Sequence, residues 1–324
     1  MGRAVILAFL AGAGLCAALG EPADRRSAAP GALERTMAVT VDDLPAIPAR
    51  DLGEMRRITD AMLAAFRAHR VPAIGFVNER GLATAGEREA RVALLRRWID
   101  AGLDLGNHTY SHVGLQTTPL EAYEAEVLKG EVETRKLLAE RGRTPRFFRH
   151  PFTQTGPTLE ARQAFEAFLA AHGYAVAPFS VETSDYVFDA VREDALARKD
   201  EATLARLGPT YLDHAAAVVS FMEELAADTF GRPIPQILLI HADPTNADGL
   251  DAVLGRLEAR GYRFVPLETA LEDPAWRSPD GYVGRFGPSW LHRFRVAKGL
   301  PSRLRDEPDP PKWVLDAYPA LQPR

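Results

Sequence analysis

The stretch MAVTVDD, residues 37–43, joins an apolar β-branched run to a pair of carboxylates. Similar short runs recur along the chain, and most are followed by a longer stretch whose apolar residues repeat with helical period. Strands that alternate with helices predict a parallel sheet, because parallel neighbours need a connection that crosses the sheet. We therefore expect an α/β fold, and the number of repeated units favours a distorted (β/α) barrel over an open sheet.

The repeated units can be placed by residue number. Predicted strands are 38–41, 73–77, 103–106, 147–148, 174–180, 236–240 and 262–266, and predicted helices are 55–70, 87–101, 120–141, 159–172 and 249–260. Residues 190–230 are predicted to form a long helical insertion before the strand at 236. Polar residues that follow the strands of such a barrel face one common end, where we expect the chemistry to collect.

Composition is that of a globular protein with a sizeable core. The chain has 324 residues, of which 46% are hydrophobic and 26% are charged. Its formal net charge is -5 and its pI is about 6.0. No global basic field is therefore present to recruit nucleic acid or an anionic membrane, and a neutral or mildly polar substrate is expected.

The amino-terminal twenty residues have the features of an export signal. Arg3 supplies a positive start, residues 4–19 form an apolar run, and Ala18-Leu19-Gly20 offers a small-x-small cleavage site. An uncleaved anchor helix is the alternative, but the run is short of the roughly 20 apolar residues that a membrane span needs. We expect a signal peptide at 1–20, a flexible leader at 21–36 and a periplasmic or extracellular protein without stable membrane insertion.

Cys16 is the only cysteine, and it lies inside the segment expected to be removed. The mature chain then has no disulfide and no thiol ligand or nucleophile. Any metal site in it must be built from histidines and carboxylates.

Residues 271–324 differ in composition from the rest of the chain. They are rich in proline and contain Trp276, Trp290 and Trp313. Exposed tryptophans in such a tail could bind sugar, but a segment that wraps the barrel and buries its rings is the simpler interpretation. We treat 271–324 as a carboxy-terminal extension that packs on the barrel, and we assign it no site.

Two pairs of polar residues follow predicted strands. Asp42 and Asp43 leave the first strand with opposite side-chain directions, so one can bind a metal while the other stays free as a base. The i, i+4 spacing of His108 and His112 predicts two imidazoles on one face of a helical turn, which suits two ligands of one ion. Two surface histidines are the alternative. A protease-type H-E-x-x-H is absent, because Thr109 stands where glutamate is required.

Two further groups follow later strands. Arg149 comes after the aromatic strand FF, where a guanidinium can fork around a catalytic carboxylate or form a structural salt bridge. His241 follows the strand QILLI; alone it would be read as structural, but here it completes a set. Two aspartates and three histidines after strands of one predicted sheet together indicate a metal site.

The same motifs resemble those of the polysaccharide deacetylases, the NodB-homology family or carbohydrate esterase family 4. T-V-D-D-L-P at 40–45 is similar to that family's T-F-D-D-G-P, and H-T-Y-S-H at 108–112 to its H-[ST]-x-x-H. R-H-P-F at 149–152 is similar to R-x-P-[FY], and L-I-H at 239–241 to L-x-H. The order along the chain also matches, and the resemblance covers residues 37–270, the expected catalytic domain.

The resemblance implies a distorted barrel of the NodB-homology type and hydrolysis of N- or O-acetyl groups on a carbohydrate such as a chitooligosaccharide or peptidoglycan. It implies bound Zn²⁺, or Co²⁺, Ni²⁺ or Mn²⁺ in its place. The implied roles are metal ligands for Asp43, His108 and His112, general base for Asp42 with Arg149 orienting it, general acid for His241, and the Pro151-Phe152 segment with the Phe152 N–H for the oxyanion.

Two departures from the family pattern keep alternatives open. Leu44 replaces a glycine and is expected to narrow the loop and change the depth of the sugar pocket, and Asp185-Tyr186 lacks the tryptophan of the corresponding motif. We expect Asp185 to tune a neighbouring histidine. The alternatives are a NodB-like amidohydrolase for a non-sugar C–N bond and a carbohydrate-binding barrel without turnover. A serine hydrolase fits poorly, because no G-x-S-x-G occurs. The motifs are equally compatible with several polymers and oligomeric states.

Overall fold

The computed structural model describes residues 35–321. The predicted signal peptide at 1–20, with Cys16 in it, and nearly all of the predicted leader lie outside the described residues. The first strand begins at Arg35, so its start falls inside the segment expected to be leader.

One curled, wholly parallel sheet forms the centre of the fold. Its strands are β1 (Arg35–Leu44), β2 (Ile74–Val77), β3 (Asp104–Asn107), β4 (Phe147–Phe148), β5 (Ala175–Val176), β6 (Val181–Glu182), β7 (Gln236–His241) and β8 (Tyr262–Phe264). The order across the sheet is β5-β4-β3-β2-β1-β7-β6, and β8 pairs with the beginning of β1. The expected α/β fold of distorted (β/α) barrel type is confirmed.

Helices surround this half-barrel. They are α1 (Leu52–Ala68), α2 (Arg88–Asp100), α3 (Leu120–Lys129), α4 (Val132–Ala139), α5 (Leu159–Ala171), α6 (Asp185–Arg198), α7 (Glu201–Phe230), α8 (Pro244–Ala259), α9 (Leu267–Leu271), α10 (Trp290–Ala297) and α11 (Lys312–Ala317). The insertion predicted at 190–230 is the pair α6 and α7. Within residues 35–321, no helix has the length and apolar character needed to span a bilayer.

The helix predicted over 120–141 is two helices, and the break helps to shape the site. Gly130 lies so close to the next loop that a Cβ there would be 2.6 Å from the Tyr110 nitrogen. The same Tyr110 amide donates to the Glu126 carbonyl at 3.0 Å. The end of α3 thus packs directly on the loop that carries His108 and His112, and only glycine leaves room for that loop at position 130.

The strand predicted over 174–180 is likewise two short strands. Pro178 cannot donate a ladder hydrogen bond, which ends β5 before it. The carbonyl oxygens of Ala177 and Pro178 instead accept hydrogen bonds from the Arg149 guanidinium, at 3.0 and 3.5 Å. The interruption therefore supplies acceptors for a buried cation.

The carboxy-terminal extension lies partly in the core. Trp276 and Trp290 are 8% and 5% exposed, and the Trp290 ring meets Phe179 edge to face at 5.5 Å. Trp313 is half-buried against the same core. These aromatic rings tie the segment after β8 to the barrel.

Buried His150 makes the fold sensitive to acid. Its ring packs among Tyr123, Phe148 and Phe165, and burial lowers its pKa from 6.5 to about 3. Between those values the unfolded chain binds a proton on this histidine and the folded chain does not. The free energy of unfolding therefore falls as pH falls below 6.5, by roughly 1.4 kcal/mol per pH unit from this residue.

We expect His150→Phe to flatten that pH dependence, because phenylalanine fills the aromatic cage without a site for the proton. Denaturant unfolding of both proteins at pH 7, 6 and 5 measures it. A variant whose free energy of unfolding declines as steeply as that of the wild type would contradict the assignment.

Candidate metal centre

A β-bulge brings Asp42 and Asp43 to the same place. The register between β1 and β2 shifts between Val41 and Leu44, and Asp43 has a left-handed backbone with φ of 67°. The expectation that the two carboxylates point in opposite directions is therefore wrong. Asp42 Oδ2 and Asp43 Oδ1 lie 3.9 and 3.7 Å from the same atom, His108 Nε2.

His108 and His112 also converge, but not on a helical turn as predicted. The backbone after β3 forms a loop in which Thr109 and His112 have φ of 61° and 58°. The Asn107 side chain accepts from the Thr109 amide at 2.9 Å, and Asn78 Nδ2 donates to the His108 carbonyl at 2.5 Å. These two side chains provide hydrogen-bond partners for backbone groups of the loop and so hold it in a non-helical form.

The histidine rings face a shared carboxylate. Their centroids are 4.9 Å apart, and His112 Nε2 lies 3.5 Å from Asp43 Oδ1. Left-handed backbone at both Asp43 and His112 costs free energy for residues that carry a Cβ. Concentration of this strain at the converging side chains is typical of a functional site.

Hydrogen bonding sets the tautomer of His108. Its Nδ1 lies 2.7 Å from the Arg149 carbonyl oxygen, which can only accept, so Nδ1 carries the proton. Nε2 is left with its lone pair directed toward Asp43. Burial lowers the pKa of His108 well below 6.5, so the ring is neutral, as a metal ligand must be.

The three side chains fit a divalent ion. Their ligand atoms lie within 4.8 Å of one another, and the two separations from Asp43 Oδ1 to the histidine Nε2 atoms are 3.7 and 3.5 Å. Tetrahedral bonds of about 2.1 Å place ligand atoms about 3.4 Å apart, so only small movements are needed. Two imidazoles and one carboxylate suit zinc and similar transition ions, and leave a position for a further ligand.

Arg149 is fully buried and contacts Asp42. Its Nη1 lies 3.5 Å from Asp42 Oδ2. Its Nη2 donates to the Thr40 hydroxyl at 2.9 Å, and its Nε donates to the Ala177 carbonyl. The guanidinium therefore does not fork around the carboxylate. Burial raises the pKa of Asp42 to about 6, against the opposing charge of Arg149. Asp42 Oδ1 has no hydrogen-bond partner within residues 35–321.

Asp185 lies against His241. Its Oδ1 is 2.7 Å from His241 Nδ1, and its Oδ2 accepts from the His241 amide at 2.7 Å and from Asn246 Nδ2 at 2.5 Å. Burial alone lowers the pKa of His241, but the charge and hydrogen bond of Asp185 outweigh it and hold that pKa well above 6.5. Asn246, which donates to the Asp185 carboxylate, is not among the residues predicted from the sequence. The N-cap pattern Asp243-x-x-Asn246 at the start of α8 indicates where Asn246 lies in the helix, but not that it contacts Asp185.

The Pro151-Phe152 segment lies beside the histidines. Pro151 is buried at the start of a short 3₁₀ turn, and Phe152 has φ of 54°. The Phe152 ring meets His112 edge to face at 4.5 Å and is 57% exposed. The predicted use of the Phe152 N–H for an oxyanion stays a prediction.

A cavity of about 880 Å³ opens over these groups. Asp42, Asp43, His108, His112 and His241 all line it. Leu44 does not: it is 1% exposed and fills the space beside Gly75 in the core. The expectation that Leu44 changes the depth of the sugar pocket is therefore wrong, because the bulge turns this side chain inward.

The carboxy-terminal extension, residues 271–324, forms part of the cavity wall, although the sequence predicts no site in it. Residues 285–289 line the cavity, and Thr153 Oγ1 donates to the Gly287 carbonyl at 2.7 Å. Gln154 Nε2 donates to the Arg285 carbonyl at 3.0 Å. The approach is so close that a Cβ at Gly287 would lie 1.8 Å from Thr153 Oγ1. Contacts between residues this far apart in sequence leave no local signal.

Part of the chain is similar to a known protein family. Residues 30–169 match the family described as polysaccharide deacetylase, a region that holds the motifs from Asp42 to Phe152 but neither Asp185 nor His241. A curated relative is the peptidoglycan-N-acetylglucosamine deacetylase of Bacillus cereus. It is 24% identical over 243 residues, which cover 73% of this chain and 68% of the relative.

Solved structures with similarity to this chain include two enzymes and a pseudoenzyme. The family 4 carbohydrate esterase of Streptomyces lividans in complex with acetate has a TM-score of 0.46 and 18% identity, over 73% of this chain and 95% of that chain. Peptidoglycan deacetylase PdaC of Bacillus subtilis has a TM-score of 0.48 and 19% identity, over 75% of this chain and 93% of that chain. A family 4 pseudoenzyme of Bacillus anthracis has a TM-score of 0.48 and 15% identity, over 74% of this chain and 66% of that chain.

Proposed function

We propose that this chain is a metal-dependent hydrolase of the polysaccharide deacetylase (NodB-homology) family, and that it removes acetyl groups from a carbohydrate. The observation that carries the proposal is the convergence of Asp43, His108 and His112 beside Asp42 and His241 in one cavity. A ligand set, a base and an acid in one place are more than binding alone requires.

Asp43, His108 and His112 are the ligands in this proposal. A divalent ion bound there would supply a Lewis acid, which polarises a carbonyl oxygen and acidifies water. The neutral ring of His108, held by the Arg149 carbonyl, supports this role. Zinc is the first candidate because two imidazoles and one carboxylate form a donor set found in catalytic zinc sites.

Asp42 is the general base. Its Oδ1 is buried without a partner, so it can accept the proton of the attacking water, while Arg149 holds Oδ2. A pKa of about 6 leaves this carboxylate mostly ionised at neutral pH and still basic enough to take a proton.

His241 is the general acid. Asp185 holds the ring in its charged form, which leaves the Nε2 proton for the nitrogen or oxygen that leaves the acetyl group. The Phe152 N–H is the proposed hydrogen-bond donor to the oxyanion. A fixed N–H dipole would stabilise the negative charge that develops on the acetyl carbonyl oxygen.

Carbohydrate is the proposed substrate because of the relatives and the shape of the cavity. A volume of about 880 Å³ accommodates a ligand larger than one sugar ring. Phe152, Tyr186 and Phe286 line it and are 57%, 48% and 76% exposed. Their ring faces suit stacking on sugars and can replace the tryptophan that the motif lacks. The pattern of residues 1–20 supports the further proposal that the enzyme is exported.

Acetate release from a panel of substrates tests the function. The zinc-loaded protein is expected to release acetate from N-acetylglucosamine oligomers, peptidoglycan fragments or acetylated xylan, and a chelator is expected to stop the release until zinc is returned. Hydrolysis of simple non-sugar amides with no acetate from any carbohydrate would move the assignment to an amidohydrolase. Carbohydrate binding without turnover would indicate a binding protein.

Gly287→Ala tests the wall contributed by the extension. The added Cβ overlaps Thr153 Oγ1 and must displace residues 285–289, which should raise KM for an oligosaccharide about tenfold, or 1.4 kcal/mol. A small acetyl ester reaches the metal centre without that wall and should be hydrolysed as before. Gly281→Ala is the matched control, because a Cβ there meets nothing within 4 Å. Equal KM values in the two variants would contradict a binding role for this segment.

A further inference from the structure

The cavity has an acidic side that the proposed mechanism does not use. Glu182, Asp189 and Asp243 line it next to His241, and we call these three residues the acidic wall. Glu307 and Asp309 of the extension line the same cavity. Among the described residues that line it, Arg285 is the one lysine or arginine.

The acidic wall has the charged His241 ring beside it but no lysine or arginine partner among residues 35–321. Asp243 is 1% exposed; its Oδ1 accepts from the Asn246 amide at 2.7 Å, but its Oδ2 has no hydrogen-bond partner in residues 35–321. Asp189 is 7% exposed and receives only the Thr245 hydroxyl at 3.3 Å. Within the described chain, no lysine or arginine lies at salt-bridge distance from any residue of the acidic wall.

The wall is poorly stabilised in its anionic form when no cation is bound. Burial and repulsion from neighbouring carboxylates such as Asp185 raise the pKa of Glu182 to about 8 and that of Asp189 to about 6, and raise the pKa of Asp243 well above its ordinary value. Glu182 and Asp243 therefore hold protons at neutral pH, because a desolvated carboxylate without a counter-charge is costly. An ammonium group bound among them would take the place of those protons and give Asp243 Oδ2 a hydrogen-bond donor.

An ammonium group fits the wall better than a second metal ion. Atoms of Asp185, His241 and Asp243 do lie within 4.8 Å of one another. However, both Asp185 oxygens and His241 Nδ1 are already bonded to each other, to the His241 amide or to Asn246. Only Asp243 keeps a free oxygen, and one free ligand does not make a metal site. An ammonium has three donors, which separate carboxylates can accept.

We propose that the acidic wall is a subsite for an ammonium group of the substrate, so that the preferred carbohydrates are amino sugars that already carry free amines beside the acetylated unit. The inference rests on the proposed function and narrows its substrate class. It predicts that a partly deacetylated oligomer is favoured over a fully acetylated one of equal length.

Binding of a glucosamine tetramer tests the subsite without turnover, because this probe has no acetyl group. Calorimetry on the full metal-loaded protein compares the wild type with Asp243→Asn, in which asparagine keeps the cap of α8 but removes the carboxyl group that would ionise when the ammonium binds. We expect about tenfold weaker binding in the variant, and a smaller difference at high salt. Asp189→Asn should act in the same direction.

Asp194→Asn is the matched control, since Asp194 lies on the same helix α6, pairs with Arg198 and does not line the cavity. Equal affinity in the wild type and both wall variants would overturn the proposal. So would a second metal ion per chain that Asp243→Asn removes. If the tetramer binds as expected but no acetylated sugar releases acetate, the subsite stands and the deacetylase assignment fails.

Discussion

Asp43→Asn is expected to remove the divalent ion and to lower acetate release by about 10³-fold, the effect of losing several kcal/mol of charge stabilisation. Asparagine has the same shape and tolerates the left-handed backbone that Asp43 adopts, at φ of 67°. The fold should therefore persist, while the charge that holds the ion between His108 and His112 is lost. Metal content by mass spectrometry and acetate release are measured on the same preparation.

Asp100→Asn is a suitable control for that variant. Asp100 is an exposed carboxylate that pairs with Arg141 and lies away from the cavity. It should retain both the ion and the activity. A variant at Asp43 that keeps one ion per chain and full activity would show that the ion, if any, is bound elsewhere.

Asp42→Asn is expected to lower acetate release by about 10²- to 10⁴-fold while the ion stays bound, because the variant removes a general base but no ligand. Asparagine still offers an oxygen to Arg149, whose other donors are held by Thr40 and Ala177. The buried guanidinium then loses its paired charge, so some loss of stability is expected as well.

Thermal unfolding and metal content separate these effects. A folded, metal-loaded Asp42→Asn protein without activity identifies the base. A folded, metal-loaded variant with wild-type activity would contradict that role, and loss of the ion would mean that Asp42 is a ligand.

The sheet was predictable because each strand and helix carries its own periodic pattern. The strand before Asp42 and the alternation after it are local signals, and β1 lies next to β2 and β7 as parallel crossovers require. Two predicted elements are each divided in two in the structure, at positions whose surroundings propensity does not weigh. At Gly130 a neighbouring loop comes too close for any side chain, and at Pro178 the ladder loses a donor.

The motifs pick out side chains that the fold brings together, but they do not predict the geometry in which those side chains meet. Spacing alone placed His108 and His112 on a helical turn, whereas Asn78 and Asn107 hold them on a loop. Asp43 reaches the site only because a bulge reverses its direction. Such devices depend on side chains from other strands, which a pattern along one segment does not contain.

The second half of the site depends still more on tertiary structure. His241 and Asp185 lie beyond the residues that match the family, and they pair across 56 positions of sequence. The wall at 285–289 meets Thr153 across 134 positions. No local sequence pattern marks these residues as neighbours, because only the folded chain brings them together. We expect them to determine which substrate is preferred.

One ion, held by Asp43, His108 and His112, is proposed to be required for deacetylation. Titration of chelator-stripped protein with zinc, while acetate release from an N-acetylglucosamine oligomer is followed, tests this requirement. Activity is predicted to rise from background and to level off at one zinc per chain. Full activity in the stripped protein, or no acetate at any zinc level, would show that this ion is not the catalytic one.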